Sequence, residues 1–219
     1  MPPGVAVKVL HVALVATALL GAPVFVVLTR GIFGASPPLR TQVWLQVAYC
    51  VLAVGLVWTA MRLQKLSLSS IGLRRPTLAT VLLAATLAVV VLLVLPIVTA
   101  PLVKWAGPDR LNAGVRELSV LPVWFRIWLA VAGGVIEETL YRGYAFGRLE
   151  GLTRSRWFAG AIVVVVFTLA HISPWGTVYS LIAVLPFSVL MTAAYAWRRD
   201  LLANSAAHSA ALLVGLLTI

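Results

Sequence analysis

Acidic residues are scarce in this chain: 6 Asp and Glu stand against 17 Lys and Arg among 219 residues, and charged residues of both signs reach only 11%. A soluble domain carries about 25% charge, so this chain lacks the polar surface to coat a water-facing globule, and a disordered chain needs still more. Cysteine is nearly absent. Cys50 alone excludes an internal disulfide and a cysteine-based metal cluster, and its apolar surroundings read as packing. Also missing are a G-x-S-x-G elbow, a G-x-x-x-x-G-K-[ST] loop and an H-E-x-x-H pair. Their absence removes a serine-hydrolase turn, a phosphate-binding loop and a zinc site built on one helix.

What is present is apolar. Hydrophobic residues make up 62% of the chain and the mean hydropathy is +1.03. They fall into seven blocks, about 8–28, 42–61, 77–98, 123–147, 157–172, 178–197 and 201–219. Most approach the roughly 20 residues that cross about 30 Å of hydrocarbon. The expected fold is an all-α, polytopic transmembrane bundle of about seven helices in a lipid bilayer. Residues 1–110 are expected to form N-terminal membrane helices, about three spans plus a loop, and 111–219 a helical core. Breakers at Pro37, Pro38, Gly72, Pro76, Pro101, Gly107, Pro108, Ser173 and Pro174 mark the expected loops. The first block carries Lys8 but no small-x-small cleavage site before Pro23, so it reads as an uncleaved helix.

The net charge of +11 would suggest nucleic acid in a soluble protein, but these cations lie mostly between apolar blocks and form no basic stripe interleaved with aromatics. No nucleic-acid partner is expected. Ten Lys and Arg gather on the side of Lys8 and five on the other, which predicts a cytoplasmic N-terminus; the expected location is a prokaryotic cell membrane. Trp44, Trp105, Trp124, Trp157, Trp175 and Trp197 sit near block ends, as interfacial rings do.

Block four contains polar residues that a membrane helix tolerates poorly: Glu137, Glu138 and Arg142. Each such charge costs about 2.5–3.5 kcal/mol at the centre of a span. Glu138 and Arg142 stand at i, i+4 with the acid first, so they can pair on one face. Glu137, turned about 100° away, has no cation at helical spacing and must face a cavity or another helix. The alternative is an interhelical clamp made of all three. Gly143, Gly147 and Gly151 suit close helix packing.

Block five ends at His171 and block seven contains His208, while His11 in block one has no motif around it and reads as packing. Two imidazoles and an unpaired carboxylate on three spans suit water activation: the carboxylate acts as base and an imidazole shares or steadies the water. A second imidazole can donate to the oxyanion. No cofactor is required in that reading. The same trio, Glu137, His171 and His208, could instead hold a catalytic zinc. A non-catalytic scaffold or a proton-coupled carrier would use the same buried groups.

These residues resemble the CAAX-prenyl-protease and bacteriocin-processing family of intramembrane endopeptidases, also called the Abi family, whose ordered motifs are E-E-x-x-x-R, F-x-x-x-H and H-x-x-x-N. Glu137-Glu138-x-x-x-Arg142 matches the first, Phe167-x-x-x-His171 the second, and His208 stands where the third begins. The likeness covers about 120–219, and Ile71 to Pro76 resembles the family's entry to its third block. It implies a helical membrane core in which Glu137 and His171 activate water, Glu138 and Arg142 support them, and His208 assists the oxyanion. Peptides or proteins at the membrane, prenylated or small and hydrophobic, are the implied substrates. The chain departs from the pattern at Leu212, where the family has asparagine. Asn204 precedes His208 by one turn on the same face and supplies that amide or caps a helix at the interface. Counted from the shared end of their spans, His208 lies about 10 Å deep and His171 about 21 Å, so block five must tilt or start deeper, or the spans are misplaced by a turn.

Overall fold

The computed structural model describes residues 3–107 and 112–218. Eight helices and no strand occur among the described residues: α1 (Pro3–Phe33), α2 (Leu39–Leu63), α3 (Leu78–Ala106), α4 (Asn112–Ser119), α5 (123–153), α6 (Arg156–Ala170), α7 (Thr177–Arg198) and α8 (Leu201–Leu217). Five stretches are long and apolar enough to cross a membrane, α6 among them when the turn through Trp175 is included, and α8 is a shorter apolar helix. The protein is an integral membrane protein. Pro108, Arg110 and the division expected at 110/111 lie outside the described residues.

The seven blocks correspond to helices, and the short α4 is an addition. Two expected breaks are helical instead. Pro101 lies inside α3, and Ser173 and Pro174 belong to a helical turn, Ile172–Trp175, that ends at Gly176. A proline removes one donor and crowds the carbonyl four residues back, which a helix in lipid survives by local widening. Both α3 and α7 show that device: π-helical turns at Val90–Val94 and Ser180–Val184 each end two residues before a proline, Pro96 and Pro186. Trp44, Trp105, Trp124, Trp157 and Trp197 are exposed, as interfacial anchors require, whereas Trp175 turns inward to line a cavity.

Helix α5 is the axis of the bundle. Its middle, Glu138–Phe146, is π-helical, and every residue from Leu140 to Phe146 is buried. A helix covered on all sides must be central. Around it pack α1, α2, α6 and α8, while α3 lies on α8 and α7 on α6. The apolar faces of α1, α2 and α3 point outward, where hydrocarbon replaces water as their solvent. Gly134 sets the approach of α5 to α8: a Cβ there would stand 2.6 Å from the Ser209 backbone nitrogen. Of the three glycines read as packing positions, Gly143 faces Ile71 and Leu201 closely, Gly147 faces Ser70 and Arg199 at contact distance, and Gly151 faces open space.

The depth mismatch between the histidines resolves at the corner between α7 and α8. Arg199 pairs with Glu150 and lies over the Phe146 ring at 4.6 Å, and the Leu201 N–H donates to the Gly72 carbonyl at 3.0 Å. Gly72 has φ +78, and a Cβ there would meet the Arg199 carbonyl at 2.8 Å. Helix α8 therefore starts beside the interior of α5, whereas α6 starts beyond its end. Seven residues of α8 and fifteen of α6 then reach one level.

Candidate active site

The residues after Ile136 diverge at once. Glu138 points from α5 toward α7 and α8 and is fully buried. Its Oε1 accepts from Arg142 Nη1 at 3.0 Å and from His208 Nδ1 at 2.9 Å, and its Oε2 accepts from Asn204 Nδ2 at 3.2 Å. Arg142 also donates through Nη2 to Ser188 Oγ at 3.0 Å and through Nε to Thr192 Oγ1 at 3.3 Å. Its guanidinium lies 4.2 Å from the Phe167 ring centroid. A buried ion pair holds in low dielectric only when its remaining donors and acceptors are satisfied, and here three helices supply them.

Glu137 faces the other way, into a cavity of about 390 Å³ whose walls include Tyr49, Tyr141 and His171. Its Oε2 is buried without a hydrogen-bond partner and lies 3.8 Å from His171 Nε2 and 3.8 Å from His208 Nε2. Those separations are too long for direct hydrogen bonds and short enough for one small polar molecule to bridge. The side chains of Glu137 and His171 are 24% and 18% exposed, and that of His208 is 5% exposed, so the first two meet the cavity while the third lies behind them.

Each imidazole has its tautomer set by a neighbour. His171 Nδ1 donates to the Phe167 carbonyl at 2.7 Å, which leaves the Nε2 lone pair facing Glu137. His208 Nδ1 donates to Glu138, so a neutral His208 likewise presents a bare Nε2. Phe167 joins the two layers: its ring lies against the Arg142 guanidinium on one side, 4.4 Å from the His171 ring, and edge-on to Tyr141 at 5.1 Å. Phe187 holds the His208 ring at 4.7 Å.

All five candidate residues, Glu137, Glu138, Arg142, His171 and His208, come together, in two layers. Three expectations change. Asn204 is no interfacial cap, because it is fully buried and Asp200 caps α8; nor does its amide reach the cavity, since Nδ2 serves Glu138 and the Met191 carbonyl at 2.8 Å. Leu212 faces Gly133 on α5. His208 has its one neutral N–H committed to Glu138, so donation to an oxyanion requires the doubly protonated ring. Sequence reasoning does not single out Ser188, Thr192 and Phe187 on α7, although Ser188 and Thr192 stand at i, i+4 in the apolar stretch from Leu185 to Ala194. No group of three or more His, Cys, Asp or Glu among the described residues stands as a ready metal cage.

No curated protein and no solved structure matches the chain. A family match does exist, and it spans the polar cluster and the helices that carry it. Over residues 119–214 the chain matches the family described as type II CAAX prenyl endopeptidase Rce1-like.

Proposed function

We propose that the protein is an intramembrane endopeptidase that hydrolyses peptide bonds of membrane-associated chains with water activated between Glu137 and His171. The observation that carries this reading is the unpartnered Glu137 Oε2, 3.8 Å from each imidazole at the end of a cavity. A water there donates one hydrogen to Glu137 and the other to the bare His171 Nε2, which leaves its lone pair free for a carbonyl carbon. As the oxygen–carbon bond forms, Glu137 takes the proton. When the tetrahedral species collapses, the carbon–nitrogen bond breaks and Glu137 returns that proton to the leaving amine. His208 borders the same oxygen, held by Glu138, Arg142 and Asn204.

The family match over 119–214 supports a peptide substrate at the membrane, with a prenylated chain as the first candidate. A metal variant of this reading places zinc among Glu137, His171 and His208. The experiment uses purified protein in liposomes with a farnesylated fluorogenic peptide ending in a CAAX sequence. The intact protein is expected to cleave it, and Glu137→Gln to lose cleavage while remaining folded. Full activity in that variant would remove Glu137 as the base, whereas an intact protein that cleaves nothing would favour a scaffold or a proton carrier. Metal analysis of the active preparation, with chelator treatment, separates the zinc variant.

A further inference from the structure

Hydrolysis at this site needs a hydrogen-bond donor on the far side of the carbonyl from the water, because adding water moves the carbonyl π electrons onto oxygen. The groups expected to donate are committed elsewhere. Leu212 has no donor and faces Gly133. The Asn204 amide serves Glu138 and Met191. His171 and His208 spend their Nδ1 hydrogens on Phe167 and Glu138. The Tyr141 hydroxyl donates to the Leu19 carbonyl at 3.1 Å.

Tyr49 is different. It stands in the middle of α2 and lines the same cavity as Glu137 and His171. Its ring rests against Phe25 at 5.6 Å, which orients it, and its hydroxyl makes no hydrogen bond among the described residues. A tyrosine placed in a membrane interior normally finds a partner for its O–H. Tyr49, together with Ala22 and Phe25, also borders an apolar groove between α1 and α2, so it stands where that groove meets the catalytic cavity.

We propose that the Tyr49 hydroxyl is the donor that binds the substrate carbonyl oxygen and stabilises the oxyanion, a role that Leu212 has no group to fill. This rests on the hydrolytic reading above. Tyr49 keeps its own proton throughout: it shares it with the carbonyl oxygen as charge develops and releases that oxygen when the carbon–nitrogen bond breaks. The residue lies outside the matched stretch 119–214, so the N-terminal helices complete the site rather than merely enclosing it.

The test compares the intact protein, Tyr49→Phe, Glu137→Gln, and Tyr49→Phe combined with Leu212→Asn, all in liposomes with the farnesylated fluorogenic peptide. Phenylalanine keeps the ring against Phe25, and thermal unfolding in detergent verifies that the fold survives. Losing one oxyanion donor typically lowers kcat by about 10²–10³-fold. The expected result is a kcat fall of that order in Tyr49→Phe with KM little changed, and recovery of a measurable part of kcat when Leu212→Asn is added. Tyr49→Phe with the kcat of the intact protein, or with a change confined to KM, overturns the proposal while Glu137→Gln remains inactive. An intact protein that cleaves nothing overturns the hydrolytic reading itself, and Glu137→Gln at full rate removes the base on which that reading rests.

Discussion

Glu137 and Glu138 are neighbours in sequence and opposites in surroundings. A step of about 100° sends the first toward a cavity, where its buried Oε2 has no hydrogen-bond partner among the described residues, and the second into a cluster of Arg142, Asn204 and His208 that fills both its oxygens. The comparison separates two uses of a charge in lipid. A carboxylate whose partners are all protein groups fixes the relation between helices, here α5, α7 and α8. A carboxylate left open beside two imidazoles keeps room for a reactant. The closed side also governs the open one, since Glu138 sets the tautomer of His208 and Arg142 supports the Phe167 ring that borders His171.

Exchanging each acid for its amide gives the sharpest contrast. Glu137→Gln removes the proton acceptor and should lower cleavage by about 10²–10⁴-fold with little change in thermal unfolding. Glu138→Gln leaves the Arg142 guanidinium buried without a counter-ion, which should cost about 3–5 kcal/mol of stability and lower the unfolding temperature in detergent. Adding Arg142→Met to Glu138→Gln removes that orphaned charge and should recover part of the stability, without restoring activity. Equal stability losses for the two single variants would erase the distinction between the layers.

A smaller effect tests whether the layers depend on one helix contact. Gly134→Ala improves intrinsic helix propensity by about 1 kcal/mol. It also drives a methyl group into the Ser209 backbone of α8, where the added Cβ would lie 2.6 Å from nitrogen. Overpacking of that kind costs about 1–3 kcal/mol, so the net change should be destabilising. Because His208 rides on α8, activity should fall too. Thermal unfolding and cleavage measured on the same preparation check both.

Much of this arrangement was legible in the chain. Helix-length apolar blocks gave the spans, and the i, i+4 spacing of Glu138 and Arg142 gave their pair, because both signals are local. Phe167 and His171 were legible through the motif, though not the carbonyl that orients His171, since a backbone acceptor leaves no mark in sequence. Depth was not legible. The α7–α8 corner sinks because Arg199 finds Glu150 and Phe146 across the bundle, a pairing between residues 49 positions apart. Asn204 is hard to place for a similar reason: its position one turn before His208 suggests a donated amide or a helix cap, whereas its partners lie on α5 and α7. Pro101 kept its helical place because a helix in lipid has no water to unwind into.

The smallest expected effect lies at the rim of the same cavity. Arg30 at the end of α1 pairs with Glu117 on α4 at 3.1 Å, with about a third of each side chain exposed. This is the same chemistry as the Glu138–Arg142 pair, at nearly the same separation, in a setting where solvent and ions compete. Arg30→Gln should therefore change stability by only about 0–1 kcal/mol, and the difference should shrink further in high salt. Both residues line the cavity, so any effect on cleavage should appear in KM and leave kcat intact. Unfolding at low and high ionic strength, beside the Glu138→Gln variant, isolates burial as the variable. If Arg30→Gln proved as costly as the loss of Glu138, geometry would outweigh burial in these pairs, and the closed layer would lose its claim to be what holds the site in shape.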